Sequence, residues 1–142
     1  MSPEGLTHVL FLERSPAVQE RARTALEKIG GISVTFCRSG SEAVLQAKAV
    51  QPDIILLDAE LPGTESFAAL AQLKQCGTTR DIPAVLFTGE TEPLEILRYR
   101  QTGALAVLRK PFDSFRLADQ LRCIWEEHLA SIGRRERLDS YK

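Results

Sequence analysis

Short uninterrupted apolar runs alternate along this chain with stretches whose apolar residues recur at helical spacing. Val9-Leu10-Phe11-Leu12 is the first run, the pattern of a strand buried on both faces. Ser15 then Pro16 predict a helix start, a hydroxyl cap followed by proline at the first helical position. Val18, Ala22, Ala25, Leu26 and Ile29 follow at helical spacing, and Gly30-Gly31 predicts the stop. Residues 33–37 read as a second strand. Ser41 predicts the start of a second helix with Ala43, Val44 and Ala47 on one face. That helix ends before Pro52, because a residue preceding proline disfavours the α region. Ile54-Ile55-Leu56-Leu57 is the third strand, Pro62-Gly63 a turn, and Phe67, Leu70 and Leu73 the apolar face of a third helix. Ala84-Val85-Leu86-Phe87 is the fourth strand, and a helix over 92–102 stops at Gly103. Ala106-Val107-Leu108 is the fifth strand, ending at Lys110-Pro111. Ser114 predicts the cap of a last helix carrying Leu117, Leu121, Ile124 and Trp125, and the pattern fades after Leu129.

Strand and helix thus alternate five times, which predicts an α/β fold built from βαβ units around a parallel sheet. Right-handed crossovers reduce the arrangement to a flavodoxin-like, doubly wound (βα)5 sheet of order 2-1-3-4-5. The expected domain covers residues 7–129. Residues 130–142 are expected to be a C-terminal tail or linker, with a frayed helix or a coiled-coil lead-in as the alternatives.

Composition narrows the function classes. At 142 residues the chain fits one domain with a tail, and its 44% hydrophobic content is ordinary for a globular protein. Eighteen basic against nineteen acidic residues leave no bulk positive field, which argues against nucleic-acid binding by this domain. No apolar run reaches the roughly 20 residues a membrane span needs. The first residues lack a basic and then apolar leader, so a cytoplasmic location is expected. Cys37, Cys76 and Cys123 fit neither a disulfide framework nor a metal knuckle and read as thiols. His8 and His128 are isolated, a strand-entry and a helix-surface residue.

Ligands on doubly wound sheets bind beyond the carboxyl ends of the strands, where strand order reverses. At that edge the first strand delivers Glu13-Arg14, the third Asp58, the fourth Thr88 and the fifth Lys110. With these groups in place, several short motifs fall into order: Glu13-Arg14-Ser15-Pro16, Pro52-Asp53 before the third strand, Asp58, Leu61-Pro62, Ile82-Pro83, Phe87-Thr88, Gly103-Ala104 and Lys110-Pro111-Phe112. In that order, over about residues 7 to 127, the chain resembles the receiver domain of two-component response regulators.

The resemblance implies a phosphorylation switch rather than an ordinary enzyme. Asp58 would accept a phosphoryl group from a histidine kinase or phosphotransfer protein, with Lys110 and Thr88 contacting the phosphoryl oxygens. Catalysis would extend at most to self-catalysed phosphorylation and dephosphorylation of Asp58. Mg²⁺ would be held by the acids after the first strand, by Asp58 and by the backbone carbonyl of Glu60. Phosphoryl transfer needs chiefly positioning and charge neutralisation, which such a pocket supplies. The Lys110-Pro111 bond would be cis. The signal would pass to a downstream output domain or protein, and a homodimer would form through the fourth helix, fifth strand and fifth helix, where Arg98, Arg100 and Arg109 cluster.

The sequence departs from the family at four places. Arg14 stands where the second, metal-ligating acid is expected, so Glu13, Asp58, Arg14 and Lys110 sum to a formal charge of zero. Two unit charges 4 Å apart interact by about 4 kcal/mol at an effective dielectric of 20, so a guanidinium there makes Mg²⁺ binding weak or lost. Arg14 is expected to pair with Asp58 or Glu13, with phosphoryl contact or an outward surface position as alternatives. Val107 replaces the aromatic ring that rotates in the family, Ser66 a usual glycine, and Gly89 follows Thr88. A pseudo-receiver used as a phosphorylation-independent docking module is the main alternative function. An FMN-binding redox protein is disfavoured, because Ser15-Pro16-Ala17-Val18 lacks the glycines and N–H groups of a phosphate loop.

Overall fold

The structure is a computed structural model that describes residues 5–139. Residues 1–4 and 140–142 lie outside the described residues. Five strands, β1 (His8–Leu12), β2 (Ser33–Cys37), β3 (Ile54–Asp58), β4 (Ala84–Thr88) and β5 (Ala106–Arg109), form one sheet of order β2-β1-β3-β4-β5. All neighbouring pairs are parallel. The doubly wound order expected from the sequence is therefore the one observed.

Helices α1 (Pro16–Arg23), α2 (Gly40–Val50), α3 (Glu65–Gln75), α4 (Pro93–Arg100) and α5 (Leu117–Asp139) connect and flank the strands. Because β side chains alternate between faces, each apolar strand feeds two cores. Leu10, Leu12, Ile55, Leu57 and Leu86 pack with Ala43, Ala47, Ala69, Leu70 and Leu73 on the α2–α3 side. Val9, Phe11, Ile54, Leu56, Val85 and Phe87 pack with Ala22, Leu26, Leu117 and Leu121 on the α1–α5 side. Trp125 and Ile124 join that second core at its rim, as the spacing of the last helix predicts.

Several boundaries differ from the sequence expectation, each for a local reason. Ser15 caps α1 by accepting the Val18 N–H, with Pro16 inside the first turn, as expected. The helix does not continue as α to Ile29, however. From Thr24 to Ile29 it is π-helical, and the Gly30 N–H reaches back to the Ala25 carbonyl. The extra residue in that turn rotates Ile29 out of the apolar stripe, leaving it 45% exposed. Ser39 rather than Ser41 caps α2, accepting the Glu42 N–H. At its far end Gln51 takes a left-handed conformation (φ 51°) just before Pro52. Helix α5 begins only at Leu117, and Asp113 rather than Ser114 holds the turn before it: its carboxylate accepts the Phe115 N–H and its carbonyl accepts from Arg116 and Leu117. Helix α5 also runs on to Asp139, past the point where the apolar pattern fades. Asp53 fastens the entry to the sheet, its carboxylate accepting from the Thr7 and His8 N–H groups.

The three cysteines are free, with Cys37 buried. None of the helices among the described residues is long and apolar enough to cross a membrane.

Candidate functional site

Pleating decides which strand-end residues meet. In β1 and β3, Phe11 and Leu56 face the α1–α5 side, so Glu13 and Asp58, two residues further along each strand, return to that side. In β4 the same alternation sends Phe87 to the α1–α5 side and Thr88 to the other. A cleft of about 470 Å³ opens on the α1–α5 side of the edge, lined by Glu13, Asp58, Glu60, Lys110, Gly89 and Arg21 above a floor of Phe11, Phe87 and Phe112.

At its centre the Lys110 Nζ lies 2.5 Å from Asp58 Oδ1 and 2.9 Å from Glu60 Oε1. The Glu60 N–H also donates to Asp58 Oδ1 (2.9 Å), and the Gly89 N–H donates to Glu60 Oε2 (3.0 Å). Asp58 is buried, and its Oδ2 has no hydrogen-bond partner among the described residues. Burial pushes the Lys110 ammonium pKa down, but the hydrogen bonds to Asp58 and Glu60 outweigh it and hold it above the ordinary lysine value. The same Lys110 bond, helped by the Gly89 N–H, pulls Glu60 below the usual carboxylate range. Lys110 directly follows β5, and its bond to Pro111 is cis. Its backbone N–H donates to the Thr88 carbonyl (2.9 Å).

Ser66 occupies the position read as a usual glycine. It is buried in the first turn of α3, and its hydroxyl donates to the Asp58 carbonyl at 2.5 Å, tying the helix start to the end of β3. Thr88 is fully buried, and its hydroxyl accepts the Glu90 N–H rather than touching Asp58 or Lys110. Val107 is half-buried against the α2–α3 core, close to the layer where Tyr99 packs on the Phe67 ring. His128 is half-buried beside Trp125 rather than a plain surface residue.

Arg14 does not pair with Asp58 or Glu13, contrary to the expectation. Its Nη2 lies 2.5 Å from Glu65 Oε1 and its Nε donates to the Arg38 carbonyl (2.7 Å). Glu65 sits in the first turn of α3 on the α2–α3 side, where the Gly40 N–H also binds it, so a ready-made anion site draws the guanidinium away from the cleft. Three groups were missed by sequence reasoning. The Glu60 side chain counts as much as its carbonyl, and Arg21 joins the cleft wall over the Phe112 ring. Arg21 was legible in principle, since it lies three residues after Val18 on one helical face. Glu65 had no local signal.

The residues present do not complete the usual metal shell. Glu13 Oε2 accepts the Ser15 N–H, and Asp58 Oδ1 is taken by Lys110 and by the Glu60 N–H. No group of three acidic, histidine or cysteine side chains among the described residues is arranged to hold a metal ion.

Fold and site together define a doubly wound α/β domain that presents a buried aspartate to a lysine at the carboxyl edge of its sheet. The chain belongs to the response regulator receiver domain family, whose sequence profile matches residues 9–122. It is 34% identical over 119 residues to a probable C4-dicarboxylate response regulator, DctR, of Halalkalibacterium halodurans, covering 82% of this chain and 50% of that protein. It is 31% identical over 116 residues to the phosphate regulon transcriptional regulatory protein PhoB of Escherichia coli, covering 82% and 50%. The chain spans about half the length of such relatives. Among solved structures, the chemotaxis response regulator CheY4 of Vibrio cholerae superposes with a TM-score of 0.76 at 23% identity, over 84% of this chain and 99% of that one. Receiver domains generally use Mg²⁺ at the phosphorylation site and are generally not enzymes in their own right.

Proposed function

We propose that Asp58 accepts a phosphoryl group from a histidine kinase or phosphotransfer protein, and that the domain passes the change to an output domain or partner protein. The observation that carries this reading is Asp58 itself: buried, ion-paired to Lys110 through Oδ1, and with Oδ2 without a partner among the described residues. In the transfer, a carboxylate oxygen attacks phosphorus and the bond from phosphorus to the donor imidazole nitrogen breaks. The electron pair leaves with that nitrogen, which takes up a proton. Lys110 neutralises the incoming oxygens, and the backbone N–H of Gly89 is a second donor at the cleft. An unpartnered carboxylate oxygen beside a fixed cation gives what this chemistry requires, so self-catalysed transfer from small phosphodonors belongs to the same reading. Thr88 serves as a phosphoryl contact by donating its hydroxyl hydrogen, since its oxygen only accepts in the bond from the Glu90 N–H. The ligand set for Mg²⁺ is incomplete, so charge neutralisation falls to Lys110.

The receiver unit covers residues 7–129, with 130–142 a C-terminal tail or linker. Output contacts and a homodimer use the α4–β5–α5 face, where Leu94, Leu97 and Leu105 are 65%, 51% and 47% exposed. The domain itself works in the cytoplasm and does not bind nucleic acid. A second reading, a phosphorylation-independent docking module, is favoured by one observation: Lys110 is already neutralised by Asp58 and Glu60.

Incubation with acetyl phosphate or phosphoramidate, with and without Mg²⁺, separates the two by intact mass. The phospho-acceptor reading expects a gain of one phosphoryl group, abolished in Asp58→Asn. An unmodified wild-type protein under all donors supports the docking module instead.

A further inference from the structure

We propose that Glu65 is a positioning residue for the acceptor cleft: its carboxylate holds the Arg14 guanidinium on the α2–α3 side of the sheet edge, away from Asp58. The importance of that position rests on the reading of Asp58 as acceptor, but the holding itself is a matter of geometry. Leu12 pairs with Leu57 across β1 and β3, so Glu13 comes level with Asp58 and Arg14 is next along the chain. With strands about 4.8 Å apart and a rise of about 3.3 Å per residue, the Arg14 Cα lies roughly 6 Å from that of Asp58. An arginine side chain spans such a gap, and a buried carboxylate is its natural partner. The cleft walls nevertheless exclude both Arg14 and Glu65.

The pleat starts Arg14 on the face opposite Glu13 and Asp58, and three contacts hold it there. Glu65 Oε1 takes the guanidinium at 2.5 Å, Glu65 Oε2 takes the Gly40 N–H at 2.5 Å, and the Arg38 carbonyl takes the Arg14 Nε–H at 2.7 Å. The carboxylate is thus fixed from one side while it fixes the cation from the other. Gly40 makes the approach possible, since a Cβ there would lie 3.0 Å from both the Glu65 Cγ and its carbonyl oxygen. The latch joins the exits of β1 and β2 to the starts of α2 and α3. Without Glu65, the acids left within reach of Arg14 are those of the cleft, Glu13 beside it with no cation of its own and Asp58 sharing Lys110.

Backbone amide NMR and acetyl phosphate labelling of Glu65→Gln, Arg14→Gln and the double variant test this. Glu65→Gln should move the Asp58 and Gly89 amide resonances and slow labelling about tenfold, the loss expected when the nucleophile gains a competing cation. Adding Arg14→Gln should return both amides and the labelling rate toward wild type, which a merely structural latch does not do. Arg14→Gln alone should move the Arg38 and Gly40 amides and leave those of Asp58 and Gly89 in place, a result that stands if Glu65→Gln fails to fold. Unmoved Asp58 and Gly89 amides in folded Glu65→Gln, or shifts that persist in the double variant, overturn the proposal. Absence of labelling in every protein, wild type included, refutes the acceptor reading while the amide pattern still decides the latch.

Discussion

Asp58 and Glu60 share one ammonium. Lys110 bridges them at 2.5 and 2.9 Å, and Glu60 also takes the Gly89 N–H, so one side chain occupies both donors that an oxyanion on Asp58 needs. Glu60 is far more exposed than Asp58, and exposed ion pairs contribute only about 0.2–1 kcal/mol, which makes it a displaceable occupant. Glu60→Gln should therefore speed acetyl phosphate labelling of Asp58 by about two- to fivefold, the factor matching the upper part of that range. An unchanged or lower rate, measured by intact mass against time, would show that Glu60 does not compete for those donors. Asp58 and Lys110 were legible in the sequence because each ends an apolar strand, and the fold rule sends strand ends to one edge. The carboxylate of Glu60 and the partner of Arg14 were not. Both depend on where a loop and the start of α3 come to rest, and no local pattern around residues 14, 60 or 65 encodes that meeting.

At the scale of elements, existence was easier to read than boundary. The five strands declare themselves by apolar runs, and the alternation of strand and helix leaves little choice of topology. The π-helical turn after α1 is different, since Ala22, Ala25, Leu26 and Ile29 suit an α-helix equally well and only the packing shows the change. That packing centres on Gly30, where a Cβ would fall 2.5 Å from the Ala118 Cβ of α5 and 3.0 Å from the Leu26 carbonyl oxygen. The glycine is required for space rather than for backbone freedom, because its φ is an ordinary −92°. Gly30→Ala should destabilise the domain by about 1–3 kcal/mol, the usual cost of overpacking a close contact. Ala118→Gly in the same chain should recover part of that loss, since it removes the opposing methyl group. Urea denaturation of the two variants checks both, and additive losses would place the strain at Leu26 rather than between the helices. The hydrogen bond from the Arg122 guanidinium to the Gly30 carbonyl crosses the same junction.

For the whole molecule, the hold of α5 on the sheet is pH-dependent in a definite direction. His128 lies over a cavity of about 580 Å³ near the start of β4 and β5, with Lys74, Arg80, Asp81 and Arg135 around it. Burial, then the charges of Arg135 and Lys74, push its imidazole pKa below the ordinary 6.5, against a smaller opposite pull from Asp81. A histidine depressed in the folded state binds its proton more readily when unfolded. The stability it contributes is therefore complete above pH 6.5 and is lost as pH falls below that value. The Glu60–Lys110 pair has a wider window. Glu60 is depressed below its ordinary 4.5, so its contribution is lost only on acidification past that value, and Lys110 is raised above 10.5, so its contribution is lost only on the alkaline side. Below pH 6.5 and above 4.5 these groups separate, the His128 contribution already falling while the Glu60–Lys110 pair is intact. Trp125, the single tryptophan, sits 5.7 Å from the His128 ring and reports on the same stretch of α5. The urea midpoint followed by tryptophan fluorescence should fall between pH 7.5 and 5.5, and His128→Gln should flatten that fall. An equal fall in both proteins would place the acid sensitivity elsewhere in the fold and leave α5 held by its apolar face alone.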